Sequence, residues 1–149
     1  MTEIRPAPFR EGVRDGIPIA LGYFAVSFTL GIAARNAGLN AFQGFLASLL
    51  NLASAGEYAG FALIAVSAPY WEVAMVTLIT NARYLLMSCA LSQKLAPGIG
   101  VLERLLMAFL NTDEVFAVAS SQAGAVGRRY FYGLMIAPYL GWSIGTILG

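Results

Sequence analysis

The chain has 149 residues, 58% of them hydrophobic and only 11% charged, and its mean hydropathy is +0.70. A soluble domain of this size carries about 25% charged residues, so a water-facing shell is excluded and the apolar side chains must face a bilayer. A net charge of +1 gives no basic field for nucleic acid, and the absence of histidine removes Ser-His-Asp and Cys-His catalysis.

The single cysteine, Cys89, allows neither an intrachain disulfide nor a cysteine metal cluster. It reads as a small buried hydrophobe. No cofactor, no metal site and no enzymatic activity are expected. The first residues, MTEIRPAPFREGVRDG, are polar and broken by proline. They lack the short apolar core of a cleavable signal peptide, and residues 1–15 read as a polar N-terminal segment.

Residues 17–34 form the first uncharged run. At 1.5 Å per residue it spans about 27 Å, most of a hydrocarbon core. Pro18 is placed in its first turn, where a missing N–H does little harm. Asn40-Ala-Phe-Gln43 reads as a capping box that opens the second run, residues 41–66. This run is interrupted by Ser54-Ala-Gly-Glu-Tyr-Ala-Gly60, and Pro69 and Trp71 close it near an interface.

The third run covers residues 72–91 and contains Thr80-Asn-Ala-Arg-Tyr84. A loop at 93–100 leads to the fourth, residues 102–122, which Asn111-Thr-Asp-Glu114 interrupts. The fifth, residues 130–149, has no charge and carries Gly133, Ala137, Gly141, Gly145 and Gly149 every four residues. That small-residue stripe is a packing surface for another helix and has no chemistry of its own. The predicted fold is an all-α integral membrane protein, one transmembrane domain over residues 1–149 with about five transmembrane helices, segments 2 and 4 discontinuous. With the N-terminus inside, the inner side carries Arg5, Arg10, Arg14, Arg128 and Arg129, and the outer side Arg35, Lys94 and Arg104. The positive-inside bias favours that orientation.

Charged groups within a span cost several kcal/mol and mark candidate sites. Three clusters stand out: Asn51, Ser54, Glu57 and Tyr58; Asn81, Arg83 and Tyr84; Asn111, Thr112, Asp113 and Glu114. Their similar depth suggests one shared site. Glu57, between Gly56 and Gly60, is a candidate for substrate contact or proton coupling, or else an interhelical hydrogen bond. Arg83 needs a counter-charge, for which Asp113 or Glu114 is nearest in chain order. It either forms an architectural ion pair or meets a substrate carboxylate. The Asn111–Glu114 tract is either a helix break lining a cavity or the capped start of a helix.

Four stretches together resemble the AzlC family of branched-chain amino acid permeases. They are Gly16-Ile-Pro-Ile-Ala-Leu-Gly22, Ala53-Ser-Ala-Gly-Glu-Tyr58, Asn81-Ala-Arg-Tyr-Leu-Leu-Met87 and Thr112-Asp-Glu-Val-Phe116. The resemblance covers essentially the whole chain, but family members continue with further spans. The chain is therefore expected to be a fragment or a C-terminally short relative.

The resemblance implies a multi-pass protein of the cell inner membrane that exports branched-chain or other neutral amino acids, with a small AzlD-like membrane subunit. A zwitterion needs an anion site, such as Arg83, and a carboxylate for its ammonium, such as Glu57 or Asp113. The expected function is a proton-coupled secondary transporter. The expected partners are the neutral amino acid, the bilayer, and an AzlD-like subunit or a second copy of the chain in a homo-oligomer, or both, with no nucleic acid. The alternative is a non-transporting membrane subunit that packs against a partner. Neither a channel filter nor a nucleophile–base pair is visible.

Overall fold

The computed structural model describes residues 7–149, so Arg5 lies outside the described residues. Eight helices follow in order: α1 (Phe9–Asn36), α2 (Ala41–Leu50), α3 (Ser54–Ala65), α4 (Tyr70–Asn81), α5 (Arg83–Lys94), α6 (Val101–Phe109), α7 (Asp113–Ser121) and α8 (Arg128–Leu148). The protein is an all-α integral membrane protein. Its first and last apolar runs are the continuous helices α1 and α8, each long and apolar enough to cross a bilayer, and α4 with α5 makes a third candidate span bent by 41°.

All three inner segments are broken. Segment 2 breaks at Asn51–Ala53, just before the glycine-containing stretch that the sequence marked; Ser54 to Gly60 is itself helical. Segment 4 breaks before Thr112, whose side chain accepts a hydrogen bond from the Val115 N–H, so Asp113 and Glu114 open α7. The two readings of that tract are thus joined: a break, and a capped start whose acidic residues meet the positive helix end. The break at Ala82 in segment 3 was not expected; nothing more than a kinked helical residue separates α4 from α5.

Two other expectations are corrected. Helix α1 begins at Phe9, inside the segment read as polar, so Pro18 lies within the helix and not in its first turn. Glycine on α1 permits the neighbouring backbone contact that holds this extension. Cys89 is exposed and is not the buried hydrophobe expected. The Asn40–Gln43 capping box is present, with both reciprocal bonds at 2.9 Å.

The chain forms two compact units, each assembled from two separate stretches, so no composition shift marks a boundary. Unit 1 comprises Met1–Ile19 and Tyr84–Pro138, and unit 2 comprises Ala20–Arg83 and Tyr139–Gly149. The core of unit 1 is built on Met107, Val115, Tyr130, Phe131 and Leu134, all fully buried. Tyr130 donates to Asp15 at 2.8 Å and accepts from Gln122 at 2.6 Å. Within this unit the starts of α1 and α8 pack backbone to backbone: Gly12 lies on the Tyr130 carbonyl and Gly133 on the Phe9 carbonyl.

In unit 2 the same two helices continue side by side. Gly141 lies on the Ala20 carbonyl, Gly145 on Phe24 and Ser27, and Gly149 on Phe28. In unit 2 the contacts rise together along both helices, and in unit 1 Gly12 lies on Tyr130 and Gly16 on the Leu134 carbonyl, so α1 and α8 pack parallel within each unit. The predicted stripe is therefore a packing surface for a helix of the same chain, since a hydrogen at Cα admits a neighbouring carbonyl that a methyl group would exclude.

Candidate functional site around Glu57

The α2–α3 break leaves carbonyl groups at the end of α2 without helical donors. In a bilayer such groups must find protein partners. Helix α8 supplies them: the Tyr139 hydroxyl donates to the Leu49 carbonyl at 3.0 Å and the Trp142 indole to the Asn51 carbonyl at 3.3 Å. Trp142 is itself held edge-on to Tyr23 of α1, with ring centroids 5.3 Å apart. The break and the α8 side chains thus fix one another.

Glu57, in the first turn of α3, points into this arrangement and is only 3% exposed. Its Oε1 accepts from Ser48 of α2 at 2.5 Å, and its Oε2 accepts from the Trp142 indole at 3.2 Å. Ser48 lies 2.6 Å from the Thr146 hydroxyl, which stands 3.3 Å from the Trp142 carbonyl. All three partners are buried.

This geometry accommodates two proton arrangements without moving a heavy atom. With Glu57 ionised, Ser48 donates to the carboxylate and Thr146 donates to Ser48. With Glu57 protonated, the carboxyl donates to Ser48, Ser48 to Thr146, and Thr146 to the Trp142 carbonyl. Hydroxyl rotors both donate and accept, so either charge state of the buried acid finds its hydrogen bonds.

Beside Glu57, the Asn81 carboxamide lies directly over Gly56 and donates to Asn51 Oδ1 at 3.2 Å. The candidate residues Asn51, Glu57 and Asn81 are therefore brought together. Tyr58 is 60% exposed and stands outside these hydrogen bonds. Arg83 opens α5 at the C-terminal end of unit 2's first stretch and is exposed. In unit 1, Asn111 and Thr112 are buried in the α6–α7 break, while Asp113 is half-buried and Glu114 exposed in the first turn of α7. A cavity of about 750 Å³ in the same unit is lined by Arg10, Ile99, Arg128 and Arg129, among others.

Ser48, Trp142 and Thr146 escaped the sequence reading, which gave the last segment a packing role alone. A signal was available: Trp142 and Thr146 are polar-tipped side chains four residues apart, on one face of the last helix. Among the described residues, no group of three or more metal-ligating side chains comes together.

Comparison with known proteins agrees with this architecture. The family described as AzlC protein matches residues 18–149. An uncharacterized membrane protein of Archaeoglobus fulgidus is 34% identical over 148 residues, covering 97% of this chain and 63% of that protein. The inner membrane protein YgaZ of Escherichia coli strain K12 is 28% identical over 153 residues, covering 97% of this chain and 62% of YgaZ. A Helicobacter pylori membrane protein is 24% identical, with 95% and 62% covered. The chain thus spans under two thirds of the length of these curated relatives. No solved structure matches. With a match that takes in nearly every helix described above, the chain belongs to the AzlC family.

Proposed function

We propose that this chain forms the core of a secondary transporter that exports branched-chain or other neutral amino acids in exchange for protons, with Glu57 as the coupling group. The observation that carries the reading is the Ser48–Thr146 hydroxyl pair. It offers hydrogen bonds to Glu57 in either protonation state, as a carboxylate that gains and loses a proton within a membrane requires. An acid serving only as an interhelical strut needs one fixed arrangement.

Family membership supports a membrane transport role. Arg10 and Arg14 on α1, and Arg128 and Arg129 on α8, stand near the starts of two helices that pack in parallel. The positive-inside tendency then favours a cytoplasmic N-terminus. A small AzlD-like subunit and self-association belong to the same proposal. Many apolar side chains, Leu21, Phe42, Leu86 and Leu102 among them, lie exposed for lipid or such partners.

The test is uptake of labelled valine, leucine and methionine into proteoliposomes holding the full-length protein, with and without a pH gradient. Gradient-driven flux should vanish in Glu57→Gln while the variant still inserts and folds. Undiminished gradient dependence in that variant would remove Glu57 from the mechanism. No flux from folded wild-type protein would favour a non-transporting subunit.

A further inference from the structure

Unit 1 contains one side chain that its surroundings do not explain. Asn111, between α6 and α7, is 2% exposed, and neither its amide oxygen nor its amide nitrogen has a hydrogen-bond partner among the described residues. Met107 and Val115, four residues to either side, are fully buried in the apolar core, and Leu110 and Phe116 pack against it. A carboxamide carries two donors and two acceptor lone pairs. Burying all of them unpaired is unfavourable, and native proteins do so rarely. The asparagine at the other break, Asn51, shows the contrast: its Oδ1 is taken by Asn81 at 3.2 Å.

We infer that the Asn111 carboxamide hydrogen-bonds the head group of the carried molecule, an α-amino acid with an apolar side chain. This rests on the transport reading above and gives it a substrate contact. The chemistry selects the class. A simple anion would pair with the Nδ2 donors and leave Oδ1 unsatisfied. A bare cation would do the reverse. An α-amino carboxylate offers both an acceptor and a donor on adjacent groups, matching the amide edge. An aliphatic body suits the neighbouring methionine, valine, leucine and phenylalanine side chains, where a charged one would be desolvated without compensation. In this structure Asn111 is buried and carries the unpaired amide.

Asn111→Leu tests the assignment, because leucine is nearly isosteric and has nothing to leave unpaired. The full-length protein is purified, and its thermal unfolding is followed with and without leucine, alongside labelled leucine flux. For Asn111→Leu the expected result is a ligand-free midpoint equal to or above wild type, no leucine-induced rise, and a KM raised at least tenfold. Asn111→Thr, which keeps one hydroxyl, should fall between the two. Glu57→Gln should keep the leucine-induced rise while losing gradient-driven flux. A lower midpoint with unchanged KM in Asn111→Leu would overturn the inference, since the amide would then be a structural group satisfied by ordered water. A retained leucine-induced rise would overturn it equally. Wild-type protein that shows neither flux nor a ligand-induced rise would overturn the transport reading and this inference together.

Discussion

The hydroxyls of Ser48 and Thr146 lie 2.6 Å apart, one on α2 and the other on α8, and they join Glu57 to the backbone of α8. Ser48 is the link to the carboxyl, whereas Thr146 matters only as the next acceptor or donor. Ser48→Ala should therefore remove a donor to the ionised acid and an acceptor for the protonated one. A lost hydrogen bond to a charged group costs about 1.5–3 kcal/mol, and gradient-driven flux should fall at least tenfold. Thr146→Val keeps the shape and the Ser48–Glu57 bond but leaves the protonated arrangement without its outlet. It should slow gradient-driven flux while sparing exchange. The double variant should be no worse than Ser48→Ala alone, since residues in one network are not additive. Additive losses in proteoliposome flux would mean that the two hydroxyls act independently.

Trp142 offers an optical reading of the same acid. Its indole N–H is shared between the Asn51 carbonyl and Glu57, and the chain has two tryptophans. In a Trp71→Phe background Trp142 alone emits. A negative charge beside the indole N–H stabilises the excited state, which moves electron density away from the pyrrole ring. Neutralising Glu57 should shift the emission to shorter wavelength. A pH titration should show that shift with Glu57 present and a flat response in Glu57→Gln. Trp142→Phe should keep the edge contact with Tyr23 but lower the thermal midpoint, because both acceptors lose their donor.

The architecture was legible wherever one residue's character decides the outcome. Runs of uncharged residues gave the apolar segments, and the Asn40–Gln43 pair gave a capping box that is present atom for atom. The α2–α3 break was displaced by a few residues. The polar, glycine-containing stretch placed the interruption at residues 54–60, yet the chain departs from helix at Asn51–Ala53, and Gly56, which glycine's small size suits to either unwinding or close approach, serves close approach by Asn81. The Ala82 bend left no mark, since alanine is the strongest of helix formers. The partners of Glu57 were hidden for a different reason. Ser48, Trp142 and Thr146 come to it from 9 to 89 positions away, and only the packed helices bring them together. Sequence periodicity shows which face of a helix is polar, and says nothing of which other face it will meet.

Gly56 and Gly60 occupy one face of α3 and should respond differently to the same substitution. A Cβ at Gly56 would overlap the Asn81 carboxamide, whereas at Gly60 its nearest neighbours would be Thr77 Oγ1 at 3.7 Å and Val73 Cγ1 at 3.9 Å. Gly56→Ala should push Asn81 off Asn51 and cost about 1–3 kcal/mol, the usual range for overpacking. Gly60→Ala meets ordinary van der Waals contact and should be neutral or stabilising. Thermal unfolding of the two variants in detergent decides it. Equal midpoints would mean that Asn81 moves aside freely and that its bond to Asn51 is unimportant.

The parallel packing of α1 and α8 makes a sharper prediction, with its control on α1. Within unit 2, a Cβ at Gly145 would meet the Ser27 hydroxyl and the Phe24 carbonyl, and within unit 1 a Cβ at Gly133 would meet the Phe9 carbonyl. Backbone oxygen cannot move aside as a flexible side chain can, so Gly133→Ala and Gly145→Ala should force the helices apart. Each should cost about 1–3 kcal/mol or more. At Gly22 of α1 an added methyl group would have nothing within 4 Å. Gly22→Ala should therefore be tolerated and, by reducing the freedom of the unfolded chain, should stabilise by about 0.5–1 kcal/mol. Folded yield and thermal midpoint in detergent separate these outcomes. A midpoint for Gly145→Ala at or above that of Gly22→Ala would show that the two helices are not in backbone contact in unit 2, and the placement of Trp142 and Thr146 beside Glu57 would fall with it.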